Sequence, residues 1–179
     1  MERLTGTKNL LIIAHRGASS KAPENTLIAY ETAWKHLADA IEIDLRKTKD
    51  GVLVCAHDNN FNRVSGSEKN ISESSYKLLS EIDIGSWKGK EYKEERVPKL
   101  EDVLSKIPKG KKIFIEVKGV TKNLDKLSKL ILNSNLKKTQ IHFLCYLPSV
   151  VKNIKKNFPD QKAFWSGKFF LIFFTTDGR

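Results

Sequence analysis

The sequence predicts an α/β protein with a largely parallel sheet, on three observations. Segments 10–14, 40–45, 52–57, 112–118 and 141–146 are short and either apolar or strictly alternating, as strands are. The longer segments between most of them repeat apolar residues at a 3.6-residue period, as helices packed on a sheet do. His15, Glu42, Asp44, His57, Glu116 and Lys118, which do not belong in an apolar core, fall in or at the ends of strand segments.

The first strand, 10–14, runs into His15-Arg16-Gly17. Pro23-Glu24-Asn25-Thr26 then opens a helix with the stripe Leu27, Tyr30, Trp34 and Leu37, capped by Asn25 or Thr26. The second strand, 40–45, puts Ile41, Ile43 and Leu45 on a buried face and Ala40, Glu42 and Asp44 on the other. Asp50-Gly51 leaves no room for a crossover helix before strand 52–57, which predicts a local hairpin. With Asp50 and Gly51 as the two loop residues, Lys49 pairs with Val52 and His57 falls opposite Asp44.

Residues 59–97, rich in Asn, Ser, Lys and Glu, read as a polar insertion over the site with one short helix near 74–82. Pro98 begins a helix over 99–106, and Pro108-Lys109-Gly110 closes it. Strand 112–118 sets Ile113, Ile115 and Val117 against Phe114, Glu116 and Lys118. A Lys-rich helix at 124–133, a strand at 141–146 and a helix from Pro148 to near Phe158 follow, and the Phe-rich stretch 168–177 reads as a further strand or an altered sequence.

With 179 residues, 40% hydrophobic and 30% charged, the chain supports one well-buried core, and a single domain over 1–179 is expected. No apolar run reaches the 18 residues of a membrane span, and Cys55 and Cys145 lack metal-ligand spacing, so a cytoplasmic protein with two buried thiols is expected. The formal charge of +11 is uneven: residues 1–120 hold 21 Lys and Arg against 18 acids, and 121–162 hold nine Lys against two. There Lys122, Lys126 and Lys129 alternate with Leu124, Leu127, Leu130 and Ile131 at helical spacing. That pattern describes a solvated helix face, so no nucleic-acid partner is expected.

The strand-end residues carry the chemistry, because parallel sheets deliver ligand-binding side chains at the carboxyl ends of their strands. Glu42 and Asp44, two apart on one strand, lie about 7 Å apart on one face. With Glu116 from a neighbouring strand they supply three hard oxygen ligands suited to Mg²⁺ or Ca²⁺. The same acids are equally suited to internal ion pairs with Arg16, Arg46 or Lys118. Histidine is the side chain whose ordinary titration lies near neutrality, so His15 and His57 suit an acid and base for ester cleavage, or a buried structural role. Arg16 and Lys118 suit either a phosphodiester or the neighbouring carboxylates.

The run Ile13-Ala14-His15-Arg16-Gly17, Pro23-Glu24-Asn25-Thr26, Glu42-Ile43-Asp44, Lys49-Asp50-Gly51 and His57-Asp58 resembles the glycerophosphodiester phosphodiesterase family. Gly85-Ser86-Trp87, Val97-Pro98-Lys99-Leu100-Glu101 and Ile115-Glu116-Val117-Lys118 continue the resemblance in order. It implies a TIM-barrel-like fold and metal-dependent hydrolysis of glycerophosphodiesters to an alcohol and glycerol phosphate. Glu42, Asp44 and Glu116 would hold one Ca²⁺ or Mg²⁺, His15 and His57 would be the acid and base, and Arg16 and Lys118 would contact the small-molecule substrate. The competing expectations are a phospholipase D-like or lyase cleavage, and an inactive remnant that binds phosphorylated ligands.

A full barrel takes about 250 residues. An incomplete one lacking its last strand and helix units is therefore expected, open and C-shaped, with weakened or absent turnover and self-association through its Phe-rich end.

Overall fold

A computed structural model describes residues 10–118 and 124–166. Its strands are β1 (Ile13–Ala14), β2 (Ala40–Lys47), β3 (Leu53–Cys55), β4 (Lys112–Val117), β5 (Ile141–Cys145) and β6 (Lys162–Trp165). Its α-helices are α1 (Leu27–Lys35), α2 (Asn62–Ser65), α3 (Tyr76–Leu79), α4 (Leu100–Ser105), α5 (Asp125–Asn133) and α6 (Pro148–Asn157). The sheet order is β1-β2-β4-β5-β6, every neighbouring pair parallel, with β3 antiparallel on β2. β1 and β3 share one edge of β2: Ile13 and Ala14 pair with Ala40 and Ile41, and Cys55 pairs with Leu45 further along. A hairpin and a parallel sheet thus coexist on one strand.

The two sheet faces bury different things. Ile41, Ile43, Leu45, Ile113, Ile115, Ile141 and Phe143 form one cluster with Tyr30 and Ala33 of α1, Leu100 and Val103 of α4, Leu127 and Ile131 of α5, and Ile154 of α6. Helices therefore cover that face. The opposite face is narrower and holds Ala40, Phe114 and Leu144, with Ile13 against them. Glu42 and Asp44 lie on this second face and are also buried, at 1% and 0% exposure. The expected one-sided burial of β2 is corrected accordingly, since a parallel strand enclosed on both faces reads as buried throughout.

Thr26 is the α1 cap, its hydroxyl accepting from the Ala29 N–H. Leu37, expected on the α1 stripe, is instead 54% exposed, because the helix stops at Lys35 and Leu37 takes a left-handed turn at φ 63°. The predicted hairpin register is off by one. Lys47 pairs with Leu53 and Arg46 with Val54, so Ala56, not His57, donates its N–H to the Asp44 carbonyl. The cause lies in the turn: Thr48 N–H donates to Val52 carbonyl, which closes a three-residue loop with Gly51 at φ 79° in the left-handed position such loops require. The Thr48 hydroxyl accepts from the Val52 N–H and donates to Asp50.

The stretch 59–97 is less purely polar than expected. Phe61, Ile71, Leu79, Ile84 and Val97 are buried with Val54 and Ala56 in a small core of their own. Its α-helices are the single turns α2 and α3, with 3-10 turns at Ile71–Glu73 and Lys90–Tyr92, and the four residues of α2 are too few to show a period in the sequence. Lys88 donates to the Ser19 carbonyl and the Tyr92 hydroxyl to that of Lys21, which ties this stretch to the loop after β1. β6 was also unread: Lys162-Ala163-Phe164-Trp165 shows no alternation of apolar and polar residues. On α5 and α6, Lys126, Lys129, Lys152, Lys155 and Lys156 are exposed while Leu127, Ile131, Val150 and Ile154 are buried. Among the described residues no helix is long and apolar enough to cross a membrane. The Phe-rich stretch 168–177 and Lys122 lie outside the described residues.

Candidate active site

β1 ends at Ala14, and His15-Arg16-Gly17 turns the chain over the end of β2. Gly17 donates to the Ala14 carbonyl at 3.1 Å with φ 80°, and a Cβ there would stand 2.7 Å from the backbone carbon of Ala29. Only glycine fits both demands. Arg16 also sits in the left-handed region, at φ 55°, a conformation that costs on the order of 1–3 kcal/mol for such a residue. Two bonds hold it: its N–H donates to Glu42 Oε2 at 2.9 Å, and its carbonyl accepts from Asn25 at 3.0 Å.

β2 and β4 bring the acids together. Asp44 and Glu116 are register partners, and Glu42 lies two residues before Asp44 on the same face. One carboxylate oxygen from each of the three lies within 4.8 Å of the others. Lys118 Nζ is 3.1 Å from Asp44 Oδ1 and 3.4 Å from Glu116 Oε2, while Arg16 Nε is 3.3 Å from Asp44 Oδ2. Asn25, also left-handed, donates its amide to Asp44 Oδ2 at 2.8 Å and accepts from the Asp44 N–H and the Tyr30 hydroxyl. His15 Nε2 is 3.9 Å from Glu42 Oε2.

The internal ion pairs anticipated for Arg16 and Lys118 therefore exist. Arg46 does not take part: its guanidinium donates to the His57 carbonyl and to Asn59. Two cations serve three carboxyl groups, and Glu42 is the one that no lysine or arginine side chain reaches. Glu42 Oε1 is buried and accepts no hydrogen bond. Burial, reinforced by the Asp44 charge, drives the Glu42 carboxyl well above its ordinary range. Burial pushes Asp44 upward too, but Lys118, Asn25 and Arg16 together outweigh it and hold that carboxyl low. Burial raises Glu116 against the pull of Lys118, and burial with the Arg16 charge lowers His15. An unsatisfied buried carboxylate oxygen beside two more carboxylates fits a hard divalent cation, so Glu42, Asp44 and Glu116 could hold one.

His57 follows β3 and lines a cavity together with Glu24 and Asn25 of the segment between β1 and α1. Its Nδ1 lies 2.8 Å from Asp58 Oδ1. A carboxylate only accepts, so the proton of this bond is on Nδ1 and Nε2 is the nitrogen left for chemistry. Asp58 is held in turn by Arg63, whose guanidinium also grips Glu24, and Glu24 accepts from Arg16 at 3.1 Å. Six of the seven residues singled out in the sequence are thus joined by direct contacts, and His57 is joined to them through Asp58, Arg63 and Glu24. The sequence reading missed these three and the role of Asn25. Glu24, Asn25 and Asp58 stood inside motifs already recognised, whereas Arg63, 39 residues from Glu24, carried no local signal.

Residues 15–152 match the Glycerophosphoryl diester phosphodiesterase family. A glycerophosphodiester phosphodiesterase of Bacillus subtilis is 37% identical over 124 residues, covering 65% of this chain and 42% of that protein. Glycerophosphodiester phosphodiesterase 1 of Rattus norvegicus is 31% identical over 158 residues, 84% of this chain and 46% of the relative. The solved structure of an Oleispira antarctica phosphodiesterase, in complex with the product sn-glycerol-3-phosphate, superposes with a TM-score of 0.81 at 26% identity over 86% of this chain and 64% of its own. The chain spans less than half the length of these two relatives and under two thirds of that structure. Its parallel sheet with outer helices is accordingly part of a TIM-type barrel. With the matched segment running from His15 through all seven strand-end residues, the chain belongs to the glycerophosphoryl diester phosphodiesterase family.

Proposed function

We propose that this chain is a single-domain phosphodiesterase that hydrolyses glycerophosphodiesters to an alcohol and glycerol phosphate, dependent on one Mg²⁺ or Ca²⁺ held by Glu42, Asp44 and Glu116. The observation that carries the reading is the buried, unsatisfied Glu42 Oε1 within a three-carboxylate cluster. A divalent cation there would supply Lewis-acid polarisation of a phosphoryl oxygen and charge neutralisation. Arg16 and Lys118, already beside the carboxylates, would turn to the phosphodiester oxygens. His15 and His57 share the proton transfers. One accepts the proton of the attacking water as its oxygen bonds to phosphorus, and the other donates a proton to the departing alkoxide as the P–O bond breaks.

The test is hydrolysis of glycerophosphocholine by purified protein with Mg²⁺ or Ca²⁺, abolished by chelation. Absence of choline release under conditions where calorimetry shows the cation bound would overturn the reading. A cyclic phosphate product would replace hydrolysis with internal attack by the glycerol hydroxyl.

A further inference from the structure

We propose that Arg63 is a positioning residue for His57, locking its ring and tautomer through Asp58 while braced against Glu24. The inference rests on the reading in which His57 exchanges protons with the substrate. His57 and Asp58 are adjacent residues, both partly exposed, at 32% and 36% for their side chains. A pair so placed would sample several rotamers unless something fixed it. Arg63 does so from α2, 39 residues along the chain from Glu24. Its Nε lies 2.9 Å and its Nη2 2.8 Å from Asp58 Oδ2, and its Nη1 lies 3.0 Å from Glu24 Oε2 with Nη2 on Glu24 Oε1. One rigid planar fork thus spans two carboxylates, which a lysine ammonium cannot do in a fixed geometry.

The brace stands on anchored ground at both ends. Glu24 also accepts from Arg16, and Phe61, two residues before Arg63, is buried at 3%. Arg46 separately holds the His57 backbone carbonyl. Main chain and ring are therefore clamped by different arginines, and Nε2 is aimed by both. Exposed ion pairs add little stability, so the loss of Arg63 should show in the geometry of His57 rather than in folding.

The test is Arg63→Ala and Arg63→Lys in the full chain, with His57 assigned by comparison with His57→Gln. Long-range proton–nitrogen NMR is expected to find the His57 proton on Nδ1 in the wild type and distributed between both nitrogens in Arg63→Ala. In parallel kcat should fall about ten- to a hundredfold, with KM and cation affinity within about twofold of wild type. Arg63→Lys should recover only part of the loss. Should Arg63→Ala fail to fold, Glu24→Gln removes the brace and is expected to shift the tautomer in the same direction. A wild-type tautomer and kcat in a folded Arg63→Ala protein, or full recovery by lysine, would overturn the proposal. If the wild type itself does not hydrolyse the diester, the functional reading falls while the tautomer measurement still decides the role of Arg63.

Discussion

Along one register row of the sheet the residues are Asp44, Glu116, Leu144 and Phe164, and along the row before it Glu42, Phe114, His142 and Lys162. Backbone geometry makes the positions in each row equivalent, yet the two ends of the sheet do opposite things. At β2 the carboxylates are buried and at β4 Glu116 is half-buried, and Arg16 and Lys118 partly compensate them. Toward β5 and β6 the same face turns aromatic, with the Phe114 ring of β4 4.8 Å from His142 and 6.2 Å from Phe164, and Lys162 beside His142 on β6. Burying a charge is tolerated only where neighbouring elements deliver counter-charge or a ligand, and here those elements are the loop after β1 and the end of β4.

The largest expected effect comes from removing charge at the acid end. Glu42→Gln combined with Asp44→Asn should reduce divalent-cation binding below calorimetric detection, and unchanged affinity would dissolve the contrast between the two ends. His57→Ala is next, with turnover lowered about 10²- to 10⁴-fold and cation affinity nearly intact, because His57 lies outside the three-carboxylate cluster.

A smaller effect concerns acid stability. Burial raises the Glu24 and Asp58 carboxyls, but Arg63 and Arg16 at Glu24, and His57 and Arg63 at Asp58, outweigh it and hold both below their ordinary values of 4.5 and 3.8. As pH falls the unfolded chain takes up these protons first. The stabilisation is therefore complete above those values and lost as pH drops through the folded ones. Melting temperatures followed from pH 7 to pH 3 should fall less steeply for Arg63→Ala than for wild type, with a gap at neutrality of about 1 kcal/mol or less.

The smallest effect is expected at the aromatic end. His142 is 7% exposed, its Nδ1 is buried without a hydrogen bond, and burial, with Lys112 and Lys162, lowers its pKa. His142→Phe should be neutral or stabilising within about 1.5 kcal/mol by chemical denaturation. A loss of cation binding in that variant would show that the two ends are not separate.

Local pattern was enough to place five of the six described strands and every strand-end residue singled out, because alternation and turn residues act over a few positions; β6, without alternation, escaped it. It was not enough for register. Asp50-Gly51 announced a hairpin, but the Thr48 hydroxyl bonds added a loop residue and moved His57 away from Asp44. Asn25 and Thr26 were equally suited to cap the helix by pattern; Thr26 caps, which frees the Asn25 amide to bind Asp44.

By itself the sequence determined the α/β class, the hairpin direction and the candidate ligands and histidines, since each depends on contacts within one element or across one turn. Only the tertiary structure decided that Glu42 is the carboxyl group no lysine or arginine side chain reaches, and that Arg63 meets Glu24 and Asp58. Those outcomes depend on distances between groups far apart in the chain. They are set by how β1, β2, β4 and the 59–97 stretch pack, and no local periodicity encodes them.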